Sequence, residues 1–342
     1  MPLELMTVPH LSNNASPSAE AYPWLVADVG GTNARFGWVG GPDSGVQHVQ
    51  ALSVPAHRGL AEAARVYLAG LAGRVPEARP RRAALAVATA VTGDQVDFTN
   101  SHWAFSRQQL QTELGLEALL VLNDFEALAL SLPRLRAAQL RAHGELPLPS
   151  GCLAVIGPGT GLGVAGVVQT AHGWVALPGE GGHATLAATN NFESELLALV
   201  REDHVHVSAE RLLSGIGLPL LHGAMARLLG GAPLQALSPE LIVERGVAEQ
   251  DELCTRTLDQ FCAFLGGFAG NVALTLGARG GVYIGGGIVP RLGERFFRSE
   301  FRQRFEAKGR FEPYLRGIPS ALITDTLAAL GGAALAIEQL EA

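Results

Sequence analysis

Two short glycine turns and a few carboxylates are the parts of this 342-residue chain whose spacing could do chemistry. The first turn runs from Asp28 to Arg35 as Asp-Val-Gly-Gly-Thr-Asn-Ala-Arg. Gly30 and Gly31 let the backbone bend so that successive N–H groups face an anion, with the Thr32 hydroxyl beside them. Asp28, near the end of the apolar run Trp24–Val29, could hold Mg²⁺ through water. A plain Gly-Gly hairpin explains the same residues equally well. The second turn, Gly157-Pro-Gly-Thr-Gly-Leu-Gly163, sets Thr160 where the first sets Thr32, 128 residues earlier. Gly161, Gly163 and Gly166 also match the G-x-G-x-x-G dinucleotide fingerprint, but that fingerprint must open a helix. Val164, Val167 and Val168 suit a strand instead, which leaves a second anion-facing turn or a structural hairpin.

Asn123-Asp124-Phe125-Glu126 stands where an apolar strand gives way to a helix. That end of a strand faces the ligand crevice in α/β sheets, and a carboxylate there could accept the proton of an attacking hydroxyl. Asn and Asp also cap helices, and taken alone these residues read first as a cap. Pro178-Gly-Glu-Gly-Gly-His183 offers Glu180 and His183 as hydrogen-bond partners for a polyhydroxylated ligand, or forms a solvated surface turn. Ser208 to Arg211 reads as a helix start, with Glu210 in the first turn near the positive end of the dipole. Gly281 to Ile284 is a strand meeting Gly285-Gly286-Gly287, where an adenine ring could lie against backbone or the chain could simply turn tightly.

The elements that must hold these residues follow from hydrophobic period. Strands are expected at Trp24–Val29, Ala34–Trp38, Ala83–Ala90, Ala118–Leu122, Cys152–Ile156, Val164–Val168 and Gly281–Ile284. Helices are expected at Leu60–Gly73, at Phe125–Leu132 with a stop at Pro133, and at Thr326–Leu340. The repeat of strand, glycine turn and strand predicts two related halves, although so short a match also arises by chance. Arg134–Ser150, rich in Pro and poor in pattern, is the expected crossing between two domains. One domain spans 21–133 and is closed by the C-terminal helix, 322–342; the other spans 134–321. Residues 1–20 read as a disordered tail.

Composition narrows the function. The net charge of −7 argues against a nucleic-acid partner, whose phosphates need a basic footprint. Among 25 basic residues Lys308 is the sole lysine, so neither a P-loop nor a Schiff-base lysine is available elsewhere. Cys152, Cys254 and Cys262 lack metal-ligand spacing and read as free thiols in a reducing cytoplasm. Phe261–Ala278 has the length of a membrane span, but Gly266, Gly267, Gly270 and Gly277 with Asn271 and Thr275 suit a buried helix. No membrane partner and no export signal are expected.

Taken in order, these segments resemble the bacterial glucokinase family, within the actin, Hsp70 and sugar-kinase superfold. The likeness runs from about Trp24 to near the C-terminus. It includes Thr92-Gly-Asp94, Thr99-Asn-Ser-His-Trp103, His206-Val-Ser-Ala-Glu-Arg211 and Lys308-Gly-Arg-Phe311. The resemblance implies a two-domain actin-like (ribonuclease H-like) α/β fold with its site in the cleft, and ATP-dependent phosphorylation of D-glucose to glucose 6-phosphate, feeding glycolysis.

Residue by residue, it implies that Asp28, Val29, Gly30, Gly31, Thr32, Gly159, Thr160 and Gly161 hold the ATP phosphates and Mg²⁺. Gly285 and Gly286 would lie by the adenosine. Asp124 matches the catalytic base and also belongs, with Asn123, Glu180, His183 and Glu210, to the matching glucose-binding set; Asn100 is a weaker member. The related repressor-and-kinase branch carries a zinc site built on a His and a cysteine cluster; none exists here, so the zinc-free branch and no structural zinc are implied. Pro158 departs from the family, which often has a small residue there, and removes one N–H from the turn. Another hexose, an N-acetylated amino sugar, or ADP or polyphosphate as donor stays open, as does a non-catalytic sugar-sensing repressor. A cytoplasmic homodimer is expected.

Overall fold

The computed structural model describes residues 21–42, 44–75, 78–98, 100–230 and 236–340; the expected tail, Thr99 and the last two residues lie outside them. β1 (Trp24–Val29) and β2 (Asn33–Val39) form a hairpin about Gly30-Gly31, with Asp28 opposite Arg35. β3 (Gln47–Ser53) adds antiparallel to β2, and α1 (Leu60–Leu71) crosses to β4 (Arg82–Val87), parallel to β1. A ribbon of β5 (Gln95–Asp97) and β6 (Ala104–Ser106) leads through α2 (Arg107–Leu114) to β7 (Ala118–Asn123), parallel to β4. The first sheet therefore runs β3-β2-β1-β4-β7.

α3 (Asp124–Ser131) follows, then a 3-10 turn through Leu132–Arg134 that takes Pro133 at an early position where its missing N–H costs nothing. The crossing is not patternless: β8 (Leu140–Ala142) pairs with the edge of the second sheet. Three residues are too few to show a period.

The second sheet repeats the first. β9 (Cys152–Pro158), β10 (Leu162–Thr170) and β11 (Gly173–Gly179) are the antiparallel strands, and β12 (Gly281–Ile284) and β13 (Ser320–Ile323) are parallel to β9. The order is β11-β10-β9-β12-β13-β8, so five strands match the first sheet in order and direction. Between β11 and β12 lie α4 (Asn191–Arg201), α5 (Ala209–Leu212), α6 (Leu218–Leu228), α7 (Pro239–Val247) and α8 (Glu252–Leu276). Four short helices follow β12: α9 (Val289–Leu292), α10 (Glu294–Arg298), α11 (Phe301–Glu306) and α12 (Glu312–Arg316). α13 (Ala328–Gln339) closes the chain.

The central strands are mostly apolar because both of their faces are covered, with Asp28 and Arg35 as charged exceptions beside the first turn. In β1, Leu25, Ala27 and Val29 pack with Ala63 and Tyr67 of α1, while Trp24 and Val26 pack with Leu330 and Ala333 of α13. In β9, Leu153 and Val155 pack with Leu130 of α3, and Ala154 and Ile156 join the core under α8. The two terminal helices thus exchange sheets: α3 follows the first and packs on the second, and α13 does the reverse. They meet each other where Gly332 lies against the Ala127 carbonyl, leaving no room for a side chain.

The glycine-rich apolar run is the interior of α8. Gly266 and Gly270 admit the Phe301 and Phe305 carbonyls of α11, an approach that any Cβ would block. Lys308 fastens this contact, donating from Nζ to the Gly267 carbonyl at 2.8 Å and to Asn271 Oδ1 at 2.7 Å. Among the described residues no helix is long and apolar enough to cross a membrane.

Candidate active site

β1, β4 and β7 run parallel and in register, so Val29, Val87 and Asn123 end side by side. That alignment brings Asp28 and Asp124 to one edge of the sheet. Asn123 takes the capping role, its Oδ1 accepting the Phe125 N–H at 2.9 Å while its Nδ2 donates to the Thr89 carbonyl at 3.3 Å. Asp124 is the first residue of α3, and its Oδ1 accepts the same Phe125 N–H at 2.9 Å. Burial above all, with the negative charges of Asp28 and Glu180, raises the Asp124 carboxyl to about 6 against the opposing pull of its backbone hydrogen bonds. Asp28 is also raised, chiefly by burial, while Arg35, its cross-strand partner at 3.3 Å, pulls the other way.

Glu180 follows β11 and bridges to Val164; it is exposed and opens the 3-10 turn Gly181–His183. Ser208 caps α5 through the Arg211 N–H at 3.2 Å, as its position predicts. The Ala209 N–H donates to the Ala184 carbonyl at 2.8 Å, tying this segment to the His183 turn. Glu210 reaches further than a first-turn carboxylate needs to: Oε2 accepts the Leu162 N–H at 2.8 Å and Oε1 lies 3.9 Å from His183 Nδ1. His183 and Glu210 share a cavity of about 360 Å³ with Thr160, Ser208 and Arg211.

The second glycine turn is closed by Gly159 N–H to the Gly161 carbonyl at 2.8 Å. Pro158 has no N–H, and its carbonyl accepts from Ile288 at 3.1 Å while Gly285 donates to the Ile156 carbonyl at 2.8 Å. Gly286 has φ +78 and sits so near the Pro158 carbonyl that a Cβ would collide with it. The turns at 157–161 and 285–287 therefore form one wall. Beside it lies a cavity of about 470 Å³ lined by Thr160, Ile216, Pro219, Val243, Ile288 and Arg291. Ile216 is 72% exposed there, unusual for an aliphatic side chain. Ile216, Pro219 and Val243 do not stand out in the sequence, where they read as ordinary core residues; the one signal is Ile216 standing between Gly215 and Gly217.

In the first turn, Val29 is buried and Gly30 donates to the Asn33 carbonyl at 3.0 Å. Thr32 is exposed, and a Cβ on Gly31 would come 2.7 Å from the Asn100 carbonyl. Asn100 accordingly lies against the first glycine turn; no described hydrogen bond joins it to Asn123, Glu180, His183 or Glu210. Among the described residues no three His, Cys, Asp or Glu side chains cluster closely enough to hold a metal ion.

Comparison with known proteins gives this arrangement a family. A family model described as Glucokinase matches residues 25–340. The glucokinase of Aromatoleum aromaticum is 50% identical over 324 residues, covering 94% of this chain and 96% of the relative. A crystal structure of a glucokinase from an Antarctic psychrotroph superposes with a TM-score of 0.84 at 37% identity, covering 92% of this chain and 98% of that one. A ROK-family glucokinase from Streptomyces griseus, solved in complex with glucose and AMPPNP, shares the fold at a TM-score of 0.61 and 19% identity over 92% and 99% of the two chains.

Proposed function

The chain belongs to the glucokinase family, and on that premise we propose that it moves the γ-phosphoryl group of ATP to the 6-hydroxyl of D-glucose in a cleft between two actin-like domains. Residues 21–133 with the C-terminal segment after β13 form one domain in this reading and 134–323 the other, in a cytoplasmic homodimer; the expected boundary at 322 falls inside β13. The observation that carries it is Asp124: a half-buried carboxyl at a strand's end, held near 6 beside two other acidic groups.

In this reading Glu180, His183 and Glu210 bind the sugar hydroxyls together with Asn123, with Asn100 at the margin. Asp124 takes the proton of the 6-hydroxyl as its oxygen attacks Pγ, and the bond from Pγ to the β-phosphate oxygen breaks, giving glucose 6-phosphate and ADP. A base near 6 is ionised at neutral pH yet basic enough to accept that proton. The N–H groups of Gly31, Thr32, Thr160 and Gly161 stabilise phosphate charge, those of Gly30 and Gly159 closing their own turns, and the apolar wall by Gly285, Gly286 and Ile216 receives the adenosine. Asp28 suits Mg²⁺, which is commonly held by one or two carboxylates, water and substrate phosphates rather than by a protein cage. When bound, the ion would neutralise charge on the transferred group.

A coupled phosphorylation assay over a panel of hexoses and donors tests this. Glucose with ATP should give the highest kcat/KM; a clear preference for another sugar would replace the substrate, and no turnover with any would overturn the reading.

A further inference from the structure

The sugar and nucleotide residues meet through one side chain. Glu210 starts on α5, in the segment assigned to the sugar, yet its Oε2 accepts the N–H of Leu162, the residue after Gly161 in the nucleotide turn. A Cβ on Gly161 would lie 2.5 Å from that oxygen, so glycine is what allows the carboxylate to come so near. The same segment holds the turn at two more points, with Gly215 donating to the Gly159 carbonyl at 2.7 Å and Ile216 to Thr160 at 3.4 Å. Ser214 braces the segment, donating from its hydroxyl to the Glu210 carbonyl at 2.8 Å and accepting the Gly217 N–H at 3.0 Å. The other carboxylate oxygen, Oε1, is left facing His183.

We infer that Glu210 couples the two substrates: one oxygen fixes the nucleotide turn while the other binds the sugar, so that glucose tightens ATP binding. This rests on the glucokinase reading and deepens it. A carboxylate has acceptor capacity for both partners at once, and a charge-assisted bond to backbone N–H is stronger than a neutral one. Sugar hydroxyls on Oε1 restrict the Glu210 rotamer, and the restricted rotamer holds Leu162 and the turn in place for phosphate. By linkage, ATP must then tighten glucose by the same factor.

Two conservative variants separate reach from charge. Glu210→Asp keeps the charge but is one methylene too short to span from α5 to Leu162. Glu210→Gln keeps the reach and an oxygen for the Leu162 N–H. Titration of AMPPNP with Mg²⁺, with and without saturating glucose, gives the coupling factor for each. The wild type should bind AMPPNP at least about fivefold tighter with glucose, the lower range of allosteric coupling. Glu210→Asp should bind it about fivefold more weakly even without sugar and lose the coupling. Glu210→Gln should keep the sugar-free affinity within about twofold while binding glucose more weakly, because its oxygen still meets the Leu162 N–H without the charge. Wild-type nucleotide affinity in Glu210→Asp, or equal losses in both variants, would overturn the inference. A wild type that fails to bind glucose would instead sink the substrate reading, and the sugar-free AMPPNP arm would still report on the anchor.

Discussion

The Phe125 ring fills the space that a side chain on Gly163 would need, so that any Cβ at that position would collide with Cδ2 and Cε2 of the ring. Gly163 is the cross-strand partner of Gly157, where a Cβ would sit 2.7 Å from Phe125 Cε1. One ring from the first turn of α3 thus seats on a glycine pair in the second sheet, one residue after Asp124. The middle glycine of the dinucleotide-like match is part of a socket.

Gly163→Ala should therefore overpack this contact, costing about 1–3 kcal/mol, and displace Asp124 enough to lower kcat. Gly159→Ala, with nothing within 4 Å of the added carbon, should fold normally. Thermal melts with kcat for both variants check this. Restoration of stability by Phe125→Leu in the Gly163→Ala background would identify the ring as the cause.

Asp124→Asn should cut kcat by at least ~10²-fold while glucose still binds. In the wild type, kcat should fall as pH drops through about 6, where Asp124 takes up its proton. Near-full turnover in the variant would leave Asp124 a helix-start residue only.

The same substitution should stabilise the fold. Asp124 holds its proton more tightly folded than unfolded, so ionising it at neutral pH works against folding, and stability recovers as pH falls through about 6 toward the ordinary carboxylate range. Asp124→Asn should therefore be more stable than the wild type at pH 7, by at most about 3 kcal/mol. The advantage should vanish below about pH 4, where the wild-type carboxyl is protonated in both states. Urea denaturation at neutral and acid pH measures both; equal stabilities at neutral pH would contradict the burial of the charge.

Thr160 lines both cavities, one beside His183 and Glu210 and one beside Ile216 and Ile288. Thr160→Val should raise the KM for ATP with little change for glucose, and Ile216→Asp should raise it more by placing a charge against the apolar wall. Initial-rate kinetics with each substrate varied decides the matter. A change confined to the glucose KM would move the turn to the sugar side.

Glu180→Ala should weaken glucose strongly and leave sugar-free nucleotide binding unchanged, because Glu180 is exposed and makes no described hydrogen bond to the nucleotide turn. Isothermal titration with glucose and with AMPPNP tests it. Glu210 differs, since its carboxylate touches that turn; on sequence grounds the two glutamates look alike.

Most of the strands that carry the candidate site were legible from composition alone. β1, β4, β9 and β12 lie inside their sheets, and β7, though last in its sheet, has α3 and α13 against it; continuous apolar runs mark all five plainly. β3 and β8 were not legible: β3 is an edge strand of mostly exposed residues, and β8 has only three. A solvated edge needs no apolar period, so nothing in its residues separates it from a loop.

What the sequence determined by itself was local: the glycine turns, the Asn123 and Ser208 caps, and the buried glycine face of α8. Each depends on residues close in the chain, where backbone freedom and hydrogen-bond chemistry act without distant partners. What only the tertiary structure decided was which of these pieces share space. Parallel register sets Asp28 beside Asp124, the exchange of α3 and α13 between sheets seats Phe125 on Gly157 and Gly163, and a 48-residue separation closes into one hydrogen bond between Leu162 and Glu210. Those relations arise from packing two sheets and their helices around shared cores, and packing brings together residues that no spacing in the chain connects.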